Sequence, residues 1–262
     1  MRRPAQTVSA PLLAQTGLCE GLAYSLWLPA PEKVTLGGVV VLHGAGSCKE
    51  SHHDYARALM TAGLAAVTFD QRGHGESERP LDGRLLADVA TIASLLRSAC
   101  ERPELPIALR GSSMGGCLAI LAAPAAGARA VVAICPAQPE GLRRGLHAGR
   151  FRFEADVSAL DAVLAGCDLR SAVEELEVPL LLMHASGDEQ VPVEYSEELA
   201  QHFSCDKSRL IVVPGGHHRS IQHDPELQAT SVKFILAALA EAPEGAVPRG
   251  PQTDSDESHT GR

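Results

Sequence analysis

Short apolar runs alternate with longer amphipathic stretches along most of the chain. The apolar runs predict buried β-strands, and they are VVVLH (39–43), LAAVTFD (64–70), PIALRG (106–111), ARAVVAIC (128–135), VPLLLMHA (178–185) and RLIVVPG (209–215). Amphipathic stretches near 51–62, 84–100, 114–123, 193–203 and 225–241 predict helices. Because the strands are apolar on both faces and separated by helices, we expect an α/β fold with a mostly parallel central sheet covered by helices on both faces.

Two stretches depart from this regular alternation. GLAYSLWLP (21–29) alternates apolar and polar positions, which predicts an antiparallel edge strand. The connection over about residues 137–176 is too long for an ordinary loop of a compact domain. It predicts a short, partly helical cap insertion.

Length and composition predict one domain followed by a tail. The chain has 262 residues, and 45% of them are hydrophobic, which is ample for one buried core. From residue 242 to 262 the sequence is rich in proline, glycine and polar residues, with almost nothing to bury. We therefore expect a single domain over residues 1–241, including the cap insertion, and a disordered tail.

The charge of the chain argues against some classes of partner. A formal net charge of −9 and a pI near 5.6 disfavour nucleic-acid binding, which needs clustered cations. No apolar run approaches the ~18 residues that cross a bilayer, and no secretion signal is evident at the start. The seven cysteines stand singly and are odd in number, as expected of reduced thiols. These features predict a cytoplasmic protein with no membrane span, and they do not indicate an oligomeric state.

The segment GSSMGG carries candidate chemistry at a strand-to-helix junction. Gly111 and Gly115 lie two residues before and two after Ser113, which matches the G-x-S-x-G motif of a nucleophilic serine. Centring the motif on Ser112 would put other residues at both glycine positions. The alternative interpretation is a glycine-rich turn with a helix-capping serine and no chemistry.

Five segments together resemble the α/β-hydrolase family of serine hydrolases, and most closely its esterase-like branch with a short cap. They are VVVLHGAG (39–46), FDQRGHGES (69–77), GSSMGG (111–116), HASGDEQVP (184–192) and VPGGHHRS (213–220). Their order and spacing are those of the family, over most of residues 20–240. The resemblance implies an α/β-hydrolase fold and a serine hydrolase activity that needs no cofactor.

The resemblance also implies the catalytic residues. Ser113 would be the nucleophile, and Asp188, which follows the strand after the cap, would be the acid of the triad. The base would come from the loop after the last strand, where PGxxH spacing favours His218 and a bare GH step favours His217; we expect His218 and keep His217 as the alternative. Asp161 and Asp168 are weaker candidates for the acid because both lie in the cap, before the strand that follows it.

Two loops complete the site that the resemblance implies. The backbone N–H groups of Ala45, in HGAG (43–46), and of Met114 would form the oxyanion hole. A phosphate-binding loop is the rival interpretation, but GAGSCK fits neither common glycine-rich nucleotide motif. The loop DQRGHGES is structural in the family, which leaves Asp70 and His74 outside the catalytic set.

Two further groups of residues, the histidines near the end of the chain and the arginines of the cap, have simple interpretations that add no chemistry. The paired histidines with His223 match no zinc spacing, so no metal site is expected. Four arginines make the cap locally basic, and the simplest interpretation is a solvated face; they are Arg143, Arg144, Arg150 and Arg152.

The sequence thus predicts hydrolysis of a small-molecule carboxylic ester through an acyl-enzyme intermediate. Amide, thioester or lactone hydrolysis stays open, because the same triad serves them all. A noncatalytic ligand-binding protein of the same fold is the alternative from another class. A cysteine nucleophile is disfavoured because Cys117 and Cys135 do not stand at the nucleophile position.

Overall fold

A computed structural model of the chain describes residues 13–30 and 32–240. Its strands are β1 (Gln15–Cys19), β2 (Leu22–Trp27), β3 (Gly37–Leu42), β4 (Leu64–Phe69), β5 (Ile107–Ser112), β6 (Ala128–Ile134), β7 (Leu180–Ala185) and β8 (Arg209–Val213). Its helices are α1 (His53–Thr61), α2 (Leu85–Ala99), α3 (Met114–Leu121), α4 (Ala123–Ala126), α5 (Pro139–His147), α6 (Val157–Ala165), α7 (Leu169–Glu174), α8 (Val193–Ala200) and α9 (Pro225–Ala240). The predicted tail (242–262) lies outside the described residues, so the division into one domain and a tail stays a prediction.

The strands form one sheet in the order β1-β2-β4-β3-β5-β6-β7-β8. Strands β3 to β8 run parallel, whereas β1 and β2 are antiparallel. Side chains of β3 alternate between two cores, with Val39 and Val41 facing α1 and α9, and Val40 and Leu42 facing α2, α3 and α8. This confirms the predicted mostly parallel sheet with helices on both faces.

The expectation that the stretch 21–29 forms an edge strand is wrong. Strand β2 is antiparallel, but it lies between β1 and β4. The outer strand β1 is mostly exposed, so its sequence carries no apolar alternation that would predict it. Glu20 and Gly21 both have positive φ (50° and 80°), which forms the tight two-residue turn between the two strands.

The long connection between β6 and β7 holds the three helices α5, α6 and α7, as predicted for the cap segment (residues 137–176). Its apolar side chains pack over the sheet edge, with Leu142 and Leu160 buried in the core. Two backbone hydrogen bonds tie the segment to the loop before α2: Leu81 N–H donates to Glu154 (2.8 Å) and Asp156 N–H to Leu81 (2.9 Å). The cap segment is therefore fixed at both its helices and its extended part.

The carboxyl ends of the parallel strands place the sequence-predicted site residues at one edge of the sheet. The loops after β3, β5, β7 and β8 carry Ala45, Ser113, Asp188 and His218, respectively. In open α/β sheets this edge is where ligands bind. No helix in the described ranges combines the length and apolarity needed to cross a membrane.

Candidate active site

Ser113 lies at a sharp bend between β5 and α3. Its φ of 54° and ψ of −119° are strained for a residue with a side chain. The surrounding backbone holds it there, because its N–H donates to Ile134 (2.8 Å) and its carbonyl accepts from Ala137 (3.0 Å). The strand that ends at Ile134 therefore helps to fix the conformation of the serine.

Close backbone approach explains the glycines around the bend. A Cβ at Gly111 would clash with the backbone of Gly115, and a Cβ at Gly115 would lie 2.5 Å from the carbonyl oxygen of Leu42. Neither neighbour is a flexible side chain that could move aside. The chain can thus turn from β5 into α3 beside β3 only with glycine at both positions.

The loop after β3, here called the Gly44 loop (residues 43–48), runs directly beside Ser113. A methyl group at Gly44 would lie 3.2 Å from Cβ of Ser113. The N–H groups of Ala45 and Met114 donate to no acceptor in residues 13–30 and 32–240. Met114 is the first residue of α3, where N–H groups have no partner within the helix. Both sequence-predicted donors are therefore free to bind a ligand oxygen.

His74 braces the Gly44 loop from the segment that follows β4. Its Nε2 accepts from Gly46 N–H (3.1 Å), while its Nδ1 donates to the carbonyl of Arg72 (3.0 Å). Burial lowers the pKa of His74, which favours the neutral form that this pair of bonds requires. The ring also stacks on Phe153 of the cap segment, with centroids 4.3 Å apart.

Asp70 supports Lys49, the residue that directly follows the Gly44 loop. Its buried carboxylate accepts from the backbone N–H of Lys49 (2.7 Å) and from Nζ of Lys49 (2.9 Å). Burial alone would lower the pKa of Lys49, but hydrogen bonds to Glu50, Glu76 and Asp70 raise it well above its ordinary value. His74 thus contacts the Gly44 loop itself, and Asp70 contacts the residue that directly follows it.

The side chain of Asp188, in the loop after β7, is buried against the cavity-lining residue His218. One oxygen accepts from the N–H groups of Gln190 (2.8 Å) and Val191 (2.9 Å), and the other accepts from Nδ1 of His218 (2.7 Å). Burial raises the pKa of this carboxyl, but hydrogen bonds from His184, His218 and the two backbone groups outweigh it and hold the pKa well below its usual range. Asp188 is therefore ionised.

The structure brings His218 to Asp188 and leaves His217 apart. His218 is 8% exposed, and its backbone N–H also donates to the carboxylate of Glu189 (3.3 Å). His217 is exposed, and its Nδ1 accepts from the N–H of Arg219 (3.2 Å). The PGxxH alignment, rather than the GH step, matches this geometry.

Sequence reasoning missed Arg110, which anchors the loop that carries His218. Its side chain is buried in β5, and Nη2 donates to the carbonyl of Gln222 (3.0 Å). Nη1 lies 3.0 Å from Nδ1 of His52, and the guanidinium stacks on Tyr55 at 4.2 Å. A charged residue inside an otherwise apolar strand run was the available signal.

A cavity of about 910 Å³ joins these elements. Ser113, His218 and Ala45 line it from the sheet edge, and Leu142 and Phe151 line it from the cap segment.

The two weaker candidates for the acid of the triad form other contacts. Asp161 binds Arg143 and His147 on the cap, and Asp168 caps the N-terminus of α7.

Cys135, Asp188 and His218 are a group that could hold a metal ion, with donor atoms within 4.8 Å of one another. Burial raises the pKa of the Cys135 thiol to about 12, which keeps it protonated and a poor ligand. Asp188 and His218 already bind each other directly. His223, the residue that the sequence alternative added, binds Asp54 instead (3.2 Å).

Comparison with known proteins connects this geometry to hydrolases. The family model described as "Serine aminopeptidase, S33" matches residues 35–148. The chain is similar to the uncharacterized protein YfhR of Escherichia coli O157:H7, with 27% identity over 222 residues (80% of this chain and 73% of the relative). It is also similar to a monoacylglycerol lipase of Mycolicibacterium smegmatis, with 25% identity over 252 residues (78% of this chain and 88% of the relative).

Two solved structures share the fold. The monoacylglycerol lipase of Paleococcus ferrophilus superposes with a TM-score of 0.65 at 18% identity, covering 83% of this chain and 99% of that one. Est1E from Butyrivibrio proteoclasticus superposes with a TM-score of 0.66 at 23% identity, covering 88% and 100%. Because both identities are low, these superpositions show a shared fold and nothing about the reaction.

Proposed function

Because the chain belongs to the α/β-hydrolase family and is a hydrolase of that fold, we propose that it hydrolyses small carboxylic esters with Ser113, His218 and Asp188. The observation that carries the proposal is the 2.7 Å hydrogen bond between Asp188 and His218, at the cavity where Ser113 occupies its strained bend. Lipase names among the similar proteins support an ester substrate.

In the proposed reaction, Oγ of Ser113 attacks the ester carbonyl carbon while Nε2 of His218 takes the hydroxyl proton. Asp188 binds Nδ1 of His218, which holds the ring in the tautomer with Nε2 free and stabilises the imidazolium that forms. The C–O bond then breaks, and His218 gives the proton to the leaving alcohol. Water repeats the sequence on the acyl-enzyme and releases the acid.

The oxyanion of each tetrahedral intermediate would accept from the backbone N–H groups of Ala45 and Met114. Donors fixed in advance need no reorganisation as negative charge develops, and losing one such donor costs about 2.7–4 kcal/mol of barrier. The position of Met114 at the start of α3 adds the favourable field of a helix N-terminus.

Peptide or amide hydrolysis is the second candidate, since the matching family model carries an aminopeptidase name. A butyrate ester and a butyramide with the same 4-nitrophenyl group on the oxygen or nitrogen separate the two activities. We expect turnover of the ester to exceed turnover of the anilide. The reverse order would favour the amidase.

The deciding test is the variant Ser113→Ala beside Ser112→Ala. We expect Ser113→Ala to lower kcat for 4-nitrophenyl butyrate by at least about 10³-fold, because no other group can form the acyl-enzyme. The control Ser112→Ala should retain turnover within about fivefold. A fluorophosphonate probe, mapped by peptide mass, should modify Ser113 in the wild type. Ester hydrolysis by Ser113→Ala, or a folded wild type that takes no label, would overturn the proposal, and the second result would favour a noncatalytic ligand-binding protein.

A further inference from the structure

Three arginines line the candidate active-site cavity. Arg150 and Arg152 come from the cap segment, and Arg219 follows His218 in the loop after β8. In the described part of the chain none of the three forms an ion pair. Glu189 is the acidic residue among the lining side chains, so cations outnumber carboxylates around the cavity.

This concentration of positive charge runs against the composition of the protein. The whole chain has a formal net charge of −9. Other arginines of the cap segment are neutralised locally, since Arg143 binds Asp161 (2.9 Å) and Arg170 binds Glu174 (3.3 Å). Arg144, Arg150 and Arg152 are all exposed, as the interpretation of the basic cap as a solvated face expects, but Arg150 and Arg152 also line the cavity and Arg144 does not.

The backbone that carries the two cap arginines is anchored by the phenylalanines on either side of Arg152. Phe151 and Phe153 stack with ring centroids 5.2 Å apart, and Phe153 also stacks on His74. The N–H of Glu154, one residue further on, donates to the carbonyl of Gly73 (3.2 Å). The backbone that carries the arginines is thus fixed before a ligand arrives, which lowers the entropy cost of binding.

We infer that the substrate of this site carries a negatively charged group, such as a carboxylate, that Arg150, Arg152 and Arg219 bind. The inference rests on the proposed ester hydrolysis and names its substrate class. Guanidinium groups bind carboxylates through two parallel charge-assisted hydrogen bonds, and a partly enclosed cavity strengthens them relative to bulk water. The charge can stand on the acyl side of the ester or on the alcohol side, and the experiment separates the two.

The experiment compares matched pairs of esters. The acyl-side pair is 4-nitrophenyl hydrogen adipate and its methyl ester, and the alcohol-side pair is 4-butyryloxybenzoic acid and its methyl ester. With each rate divided by the uncatalysed rate of that ester, we expect at least one charged ester to exceed its neutral partner in kcat/KM by about tenfold. The gain should shrink as salt is raised, because ions screen exposed charges.

Arginine variants then assign the preference to these residues. In Arg150→Gln, Arg152→Gln and Arg219→Gln, the charged-to-neutral ratio of kcat/KM should fall by about fivefold each. Arg144→Gln is the matched control, with the same charge removed from the same cap, and it should leave the ratio unchanged.

Each outcome decides one of the two proposals. Turnover of the neutral esters with no preference for a charged one would overturn the inference and leave the ester hydrolase standing. A preference that survives all three arginine variants would also overturn it. Turnover of neither pair, with no fluorophosphonate label on Ser113, would overturn the proposed function and the substrate class with it.

Discussion

Two adjacent histidines, His217 and His218, follow β8, and the carboxylate of Asp188 accepts a hydrogen bond from His218. The bond from Nδ1 of His218 to Asp188 directs Nε2 of the same ring away from the carboxylate. His217 instead accepts a hydrogen bond from the local backbone. The base of the proposed reaction is therefore assigned to His218, whose ring Asp188 orients, and not to His217.

His218→Asn should lower kcat/KM for 4-nitrophenyl butyrate by at least about 10³-fold, because the general base is lost. His217→Asn should stay within about threefold of the wild type, since an exposed side chain outside the Asp188 contact is replaced. Steady-state kinetics on both variants, with circular dichroism to verify folding, test this assignment. Equal losses in the two variants would contradict it.

The sequence predicted individual site residues where a local motif determined the geometry. Ser113 follows from glycines two positions away on each side, because those glycines are required by backbone approach at the bend. The choice between His217 and His218 could not be made from sequence alone. It depends on the path of a loop in which Gly215 and Gly216 both have positive φ (71° and 75°). Arg110 was missed because its partners, His52 and Gln222, are distant in sequence.

The segment after β4 contacts both the Gly44 loop and the cap segment through His74. It accepts from Gly46 on one side and stacks on Phe153 on the other. The loop that holds one of the two proposed oxyanion donors, Ala45, is thus coupled to the cap segment through His74. The loop DQRGHGES acts in this way as a brace.

Substitution of His74 separates the hydrogen bond from the stacking. His74→Phe keeps a ring against Phe153 but leaves Gly46 N–H without its acceptor, whereas His74→Ala loses both. We expect both variants to lower kcat by about tenfold, because the Gly44 loop is less well fixed. His74→Ala should in addition lose about 1 kcal/mol more stability than His74→Phe. Ester kinetics and urea unfolding measure the two effects, and unchanged kcat in both variants would contradict the bracing role.

Elements were predictable where burial dominates the sequence. The six strands β3 to β8 follow apolar runs, and their observed limits differ from the predicted ones by one or two residues, as at β7, which begins at Leu180. Strand β1 escaped prediction because its sequence, QTGLC, has no apolar run, whereas the other edge strand, β8, has one in RLIVV. The three cap helices were predicted as a partly helical insertion, but their limits were not.

Several histidines of the folded protein are buried in neutral form. Burial lowers the pKa of His43 to about 4, from an ordinary value of 6.5. Burial also lowers the pKa of His52 well below that value, with the nearby Arg110 adding to the effect. In the unfolded chain these rings are free to take up protons at their ordinary pKa. The folded state thus binds fewer protons than the unfolded state in mildly acidic solution.

We therefore expect the free energy of unfolding to be highest above about pH 6.5 and to fall as the pH drops toward about 4. Each such histidine contributes a slope of up to about 1.4 kcal/mol per pH unit in this window. Urea unfolding at several pH values measures the slope, and an unchanged m-value shows that the unfolded state stays the same. A stability that does not vary across this window would contradict the prediction.

The strained bend at Ser113 also has a consequence for refolding. Its positive φ is held by the hydrogen bonds to Ile134 and Ala137, which lie at and beyond the end of β6. Such non-local contacts form late, after helices and hairpins that close over short distances. When denaturant is diluted, the helical signal should thus return before the ester-cleaving activity does. The recovery of activity would then report when the central sheet is complete. We expect a partly folded chain with full helix content to be inactive.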